Sequence, residues 1–192
     1  MNEEERKGKS RKTPDKKTVA IIAGVVFIIL IAAAVLFFTG KLGPGSKQVP
    51  VQEQETSVDP AQNAATFAEY KDSLDTIFTN INKAMDGTDM EDEQEVLVLI
   101  DKIKPLYDQV ATTTAPKGLE DTDATLKAAC QRSSEVLQLS KDILTVGDNP
   151  TADDLVKVEQ LQNAMTELNS VQTQIENALS VIYNTTTEQL NR

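Results

Sequence analysis

Six carboxylates within ten residues form the densest set of side chains that could do chemistry in this chain. They are Asp86, Asp89, Glu91, Asp92, Glu93 and Glu95. Calcium loops use carboxylate ligands and place a Gly at the sixth position and a Glu at the twelfth. Counting from Asp86, the sixth residue is Glu91, so the loop pattern fails. We interpret the cluster as a solvated helix N-terminus whose carboxylates complement the helix dipole, with weak divalent-ion binding as the alternative.

The remaining reactive side chains are few. The chain has no His and one Cys, so the commonest metal ligand and the commonest neutral-pH general base are missing, and no intrachain disulfide can form. Carboxylate pairs that hydrolyse glycosides need a cleft lined by aromatic side chains, and the sequence has no Trp and 3 Tyr. We therefore expect a protein that is not an enzyme and holds no cofactor.

Two isolated motifs carry weaker signals. Cys130 lies four residues after Leu126 and seven before Leu137, on a predicted apolar helix face. We expect a buried thiol there, with an intermolecular disulfide as the alternative. Asn184 begins an Asn-Thr-Thr glycosylation sequon, which we interpret as a chance match because the pattern is so short.

Residues 19–38, VAIIAGVVFIILIAAAVLFF, contain no charged or strongly polar side chain. A helix rises about 1.5 Å per residue, so this run spans about 30 Å, the thickness of the hydrocarbon core of a bilayer. A cleaved signal peptide is the alternative, but its apolar core is usually about 7 to 15 residues long. We expect a retained signal-anchor, a single-pass transmembrane helix in contact with the lipid bilayer.

Basic residues are distributed unevenly around this run. Seven precede it, whereas residues 39–58 hold only Lys41 and Lys47. Because cytoplasmic flanks are enriched in Lys and Arg, we expect a cytoplasmic N-terminus and an extracytoplasmic C-terminal domain. Ala20 and Gly24 form a small-xxx-small pair within the run, which we interpret as incidental, with weak homo-oligomerisation of the anchor as the alternative.

Composition divides the chain into five parts. Residues 39–192 hold 26 acidic and 12 basic residues, whereas residues 1–18 hold four acidic and seven basic ones. So acidic an outer segment repels nucleic acid, and we exclude DNA and RNA as its partners. The predicted parts are a disordered basic tail over residues 1–18, the anchor over 19–38, a flexible linker over 39–58, a helical domain over 59–187 and a C-terminal tail over 188–192.

Four segments with apolar residues at helical spacing follow the linker. We predict helices over about residues 59–86, 88–111, 119–145 and 151–187. The first begins at Asp59, an N-cap residue followed by Pro60, and ends at Gly87. The second starts at a capping box formed by Thr88 and Glu91.

Short connections between these segments favour an antiparallel up-down-up-down four-helix bundle, similar in packing to a coiled coil. Pro105 lies inside the second helix, where we expect a kink, and a three-helix bundle is the alternative if it breaks that helix. The fourth helix is the predicted spine of the core. Its predicted inward residues are Leu155, Val158, Leu161, Met165, Leu168, Ile175, Leu179 and Ile182.

This organisation resembles that of small bacterial envelope proteins with a short cytoplasmic tail, one anchor and an extracytoplasmic helical domain. We predict a membrane-anchored, non-catalytic cell-envelope protein whose acidic domain binds a partner protein or the cell wall. The alternative is an extracytoplasmic sensor of a small ligand or ion, since helical bundles bind ligands between their helices. Such a sensor would act through a membrane partner, because the cytoplasmic tail of residues 1–18 is too short to hold a signalling domain.

Overall fold

The computed structural model describes residues 60–146 and 151–191, with side chains described from residue 66 onward. These residues form four helices and no strand, which confirms the predicted all-α class for this part of the chain. The helices are α1 (Pro60–Met85), α2 (Glu93–Val110), α3 (Glu120–Leu144) and α4 (Ala152–Leu190).

None of these four helices is long and apolar enough to cross a bilayer. The predicted tail, anchor and linker, residues 1–58, lie outside the described residues. The membrane anchor therefore stays a prediction.

The helices form a ring in which each packs against the next and α1 packs against α4. On α3, Lys141 reaches Asp101 of α2, and Ser134, two turns earlier, reaches Asp108 further along α2. The order of these pairs makes α2 and α3 antiparallel. The ion pairs between α3 and α4 show that these two helices are antiparallel as well. The turn of residues 86–92 thus lies at one end of the bundle, the acidic end. The start of α1, the connection of residues 111–119 and the end of α4 lie at the other, the linker end.

The start of α2 differs from the prediction. Asp92 is its N-cap, and the Asp92 carboxylate accepts hydrogen bonds from the backbone N–H groups of Gln94 and Glu95. The Thr88 hydroxyl donates instead to the carbonyl of Ala84, at 3.2 Å. The predicted capping box at Thr88 is wrong because that hydroxyl bonds backward to α1, while a carboxylate four residues later satisfies the free N–H groups.

The predicted end of α1 and start of α4 are confirmed, but the predicted end of the fourth helix near residue 187 is wrong, since α4 continues to Leu190, within the predicted tail of residues 188–192. Gly87 has a φ of +76°, the left-handed conformation that ends α1. Thr151 caps α4 through a reciprocal capping box with Asp154. α2 runs continuously through Pro105, so the alternative of a break there, with three helices, is wrong.

The core consists of one apolar stripe from each helix. Most of the predicted inward residues of α4 are buried, but Val158 and Met165 are half-buried and Leu155 is 47% exposed. The prediction for Leu155 is wrong because α4 has 39 residues whereas α1 has 26, and the first turns of α4 carry no fully buried side chain. Helical spacing marks a face of a helix but does not show where the covering helices end.

Candidate functional site

A groove of about 410 Å³ lies between the end of α1 and the start of α2, at the acidic end. We call it the α1–α2 groove. Its charged and apolar lining includes Lys83, Asp86, Glu95, Val98 and Lys102. Val98 is 53% exposed, which is unusual for a Val in a bundle whose other α2 apolar residues are buried or half-buried. The groove therefore combines both signs of charge with an exposed apolar surface.

The two lysines of this groove differ from most cations of the domain. Six of the described Lys and Arg side chains lie within 4.0 Å of a carboxylate. Lys83 and Lys102 are not among them, and both line the same groove. Because the domain is strongly acidic, lysines that are left out of ion pairs are scarce. Lys83 and Lys102 therefore distinguish the α1–α2 groove from the rest of the surface.

The six carboxylates singled out from the sequence all lie in residues 86–95, at the acidic end. Several serve the local backbone: the Asp89 carboxylate accepts the N–H of Glu91 at 2.9 Å, and the Glu95 carboxylate accepts the N–H of Asp89 at 2.7 Å. Among the described residues, no three His, Cys, Asp or Glu side chains are arranged to hold a metal ion. The structure thus brings Asp86 and Glu95 to the α1–α2 groove and uses Asp89 and Asp92 to shape the turn.

A second groove, of about 560 Å³, lies between α1 and residues 109–114 at the linker end. We call it the hydroxyl groove. Four of its hydroxyls donate to carbonyls of their own helix or turn at 2.7 or 2.8 Å; they belong to Ser73, Thr76, Thr112 and Thr113. Since their hydrogens are used, these oxygens present lone pairs, and Glu69 adds a carboxylate. The hydroxyl groove is rich in acceptors.

A buried polar cluster joins three parts of the bundle near the hydroxyl groove. Asp123 is only 7% exposed. Its carboxylate accepts a hydrogen bond of 2.7 Å from the Tyr70 hydroxyl and forms an ion pair of 2.8 Å with Lys127. Lys127 also donates to the Thr113 carbonyl at 2.7 Å. Burial, together with the hydrogen bond to Asp123, raises the pKa of Tyr70 far above its usual range. The cluster ties α1 and α3 to the connection after α2, and its groups are satisfied by one another.

Cys130 and Tyr107 are two of the other side chains in the core that carry a polar group. Cys130 is a free, buried thiol, as predicted, and burial raises its pKa strongly. The Tyr107 hydroxyl is buried and has no hydrogen-bond partner among the described residues. Burial, and then the neighbouring Cys130, raise the pKa of Tyr107 as well. Asn184, the first residue of the sequon, is exposed on α4.

Sequence reasoning missed both grooves and the buried cluster. The burial of Tyr70 could have been predicted from helical spacing, since this residue lies three residues after Phe67 and four before Leu74 on the inward stripe of α1. Asp123 likewise lies three residues before Leu126. No comparable signal marks a groove, because its shape depends on where two helices end.

Comparison with known proteins gives no match: no family model fits the sequence, and no curated protein or solved structure is similar to the chain.

Proposed function

We propose that this chain is a membrane-anchored, non-catalytic protein of the cell envelope whose acidic helical bundle binds a partner protein or the cell wall. The apolar run of residues 19–38 and the seven basic residues before it support the anchor and its orientation. Such an anchor would hold the bundle by its linker end, since the linker leads into α1.

The observation that carries the interaction role is the exposed apolar start of α4. Leu155 and Val156 are 47% and 51% exposed, and they lie in the first turn and a half of α4. Contiguous apolar side chains left open on a charged surface are typical of contact sites for partners. The first turns of α4 lie opposite the linker end, where an anchored bundle faces away from the membrane.

The interaction can be tested by placing a photocrosslinking residue at Val156 of the full chain in native membranes. A discrete crosslinked species is expected, and the matched position Thr173, exposed in the middle of α4, should give none. Equal and diffuse crosslinking from both positions would count against a defined contact surface.

The anchor needs its own measurement. The full chain should remain in the membrane pellet after a carbonate wash at alkaline pH, and deletion of residues 19–38 should release it. Protease added outside intact cells should remove the bundle. Recovery of the full chain in the wash would contradict the anchor without touching the interaction proposal.

The second candidate is an extracytoplasmic sensor of a small ligand or ion. The α1–α2 groove and the hydroxyl groove favour it, since both are within the size range of small-molecule sites, roughly 300 to 1,000 Å³. A thermal-shift screen of the full chain in detergent against metabolites and divalent ions distinguishes the two. Saturable stabilisation by one compound would favour the sensor.

A further inference from the structure

We propose that the hydroxyl groove binds a linear aliphatic polyamine, a flexible chain that carries several ammonium groups and no negative charge. The groove lies at the linker end, between α1 and the connection that follows α2. This inference gives a ligand class to the second candidate function, and it rests on that candidate only for the consequence of binding. The bundle alone supplies the site, so neither the anchor nor the exposed start of α4 is involved.

The hydrogen-bonding groups of the groove carry the first step. Ser73 and Thr76 donate their hydroxyl hydrogens to backbone carbonyls of α1, and Thr112 and Thr113 donate theirs to carbonyls at the end of α2. A hydroxyl has one hydrogen and two lone pairs, so each of these four oxygens can still accept a hydrogen bond. Gln109 adds an amide, which can accept as well as donate. A protonated amine complements such a surface, since it has N–H donors and no acceptor.

The charges around the groove also favour a cation. Glu69 lies in the lining and forms no ion pair with another described residue, and none of the described lining residues is basic. The last turn of α2 contains no basic residue, so no side chain of that turn complements the negative end of the helix dipole. Lys127 reaches the Thr113 carbonyl, but Asp123 offsets its charge at 2.8 Å.

The spacing of the acceptors favours a chain over a compact cation. Glu69, Ser73 and Thr76 follow each other at intervals of four and three residues, so they lie in one row on one face of α1. At about 1.5 Å per residue, that row is about 10 Å long. A ligand with ammonium groups at intervals along a flexible chain can donate to the whole row at once, whereas a compact cation can contact only part of it.

Two other classes of ligand match the groove less well. Among the described residues, no three His, Cys, Asp or Glu side chains are arranged to hold a metal ion. A sugar hydroxyl presents lone pairs as well as a hydrogen, and the four hydroxyl hydrogens of the groove that could bind those lone pairs are already used.

The test uses the full chain in an uncharged detergent with ¹³C-labelled Thr methyl groups, and spermidine is the probe. Salt at about 0.1 M limits the attraction of a cation to the acidic surface in general. Saturable shifts of the Thr76 and Thr112 signals are expected. The signal of Thr173, an exposed residue of α4 whose hydroxyl also bonds to its own helix, should stay in place.

The second arm separates hydrogen bonding from charge. Spermidine that is fully methylated at every nitrogen keeps its positive charges but has no N–H donor. It should bind at least about fivefold more weakly than spermidine, because the hydroxyl oxygens then lose their donors. Equal binding of the two compounds, or equal shifts at Thr173, would show that spermidine is only a counterion of the acidic domain and would overturn the proposal.

Variants of the protein locate the site. Glu69→Gln and Thr76→Val should each weaken spermidine binding about fivefold, as measured by the Thr112 signal. Glu159→Gln and Thr173→Val make the same changes at exposed positions of α4 and should have no effect. Absence of saturable shifts, or equal weakening by the variants of α1 and those of α4, would likewise overturn the proposal. The membrane and crosslinking results would stand in either case, and stabilisation by another compound in the thermal-shift screen would keep the sensor as a candidate.

Discussion

At the scale of single residues, the hydroxyls of the two buried tyrosines differ in whether they have a hydrogen-bond partner. The Tyr70 hydroxyl donates to Asp123 at 2.7 Å, whereas the Tyr107 hydroxyl has no partner among the described residues. A buried polar group without a hydrogen bond costs free energy, and a satisfied one contributes modestly to stability. Loss of the hydroxyl should therefore lower the free energy of unfolding at Tyr70 but not at Tyr107.

We expect Tyr70→Phe to lower the free energy of unfolding by about 1 to 3 kcal/mol, because it leaves a buried carboxylate with one donor fewer. Tyr107→Phe should leave the stability unchanged or raise it by up to about 1 kcal/mol, since it removes an unsatisfied group. Urea unfolding of the full chain in micelles, followed by circular dichroism, measures both. Equal losses for the two variants would contradict this assignment of partners.

Cys130 gives a second test at this scale. Its thiol is buried and its pKa is raised by burial, so the reactive thiolate is scarce and shielded. We expect a thiol reagent at pH 8 to leave the native protein unmodified and to label one thiol per chain after denaturation. Rapid labelling of the native protein would show that the α3 stripe opens readily.

Residue roles were predictable from the sequence where they follow helical spacing. Cys130 was placed correctly because it continues the stripe of Leu126 and Leu137. Asp123 was not, because a carboxylate is normally excluded from a core. Its burial depends on Lys127, four residues later on α3, and on Tyr70 from another helix, a partner that no local pattern reveals.

At the scale of the elements, α2 continues through a proline. Pro105 is exposed, so its side chain contributes little packing, while it removes one backbone donor and crowds the preceding turn. We expect Pro105→Ala to raise the free energy of unfolding by about 1 to 3 kcal/mol. The melting temperature of the full chain measures this. A lower melting temperature would show that the helix depends on the proline at this position.

The long helix α4 permits a matched pair of substitutions. Leu168 is buried and Gln174 is exposed on the same helix. Leu168→Asp places an unpaired charge in the core and should abolish the cooperative thermal transition. Gln174→Asp should change stability by no more than about 0.5 kcal/mol. Superimposable melting curves would mean that the inward face of α4 is assigned wrongly.

Helix number, order and most boundaries were predictable because apolar periodicity and terminal Gly, Pro and Thr signals are local properties. The start of α2 was not, since several acceptors in residues 88–92 compete for the same N–H groups and Asp92 forms the bonds. The exposure of Leu155 was not predictable either, because it depends on how far the neighbouring helices extend.

At the scale of the whole molecule, the ring of four helices places three groups with raised pKa values in one interior. Tyr70, Tyr107 and Cys130 come from α1, α2 and α3, and burial raises the pKa of all three. Their ordinary pKa values are 10.0 for tyrosine and 9.0 for cysteine. In the unfolded chain each group loses its proton near that value, whereas in the folded bundle each keeps it.

Stability should therefore fall in alkaline solution. Above about pH 9 the unfolded chain binds fewer protons than the folded one, so the free energy of unfolding decreases as the pH rises. Each group contributes up to about 1.4 kcal/mol per pH unit once its unfolded form has ionised. Urea unfolding at pH 7, 9, 10 and 11 should show little change to pH 9 and a steep loss beyond pH 10. The double variant Tyr70→Phe/Tyr107→Phe should show a shallower loss above pH 10, because only Cys130 then ionises among these groups. If the double variant and the native sequence lose stability with the same slope, the alkaline loss arises from Cys130 or from surface charge and not from the buried tyrosines.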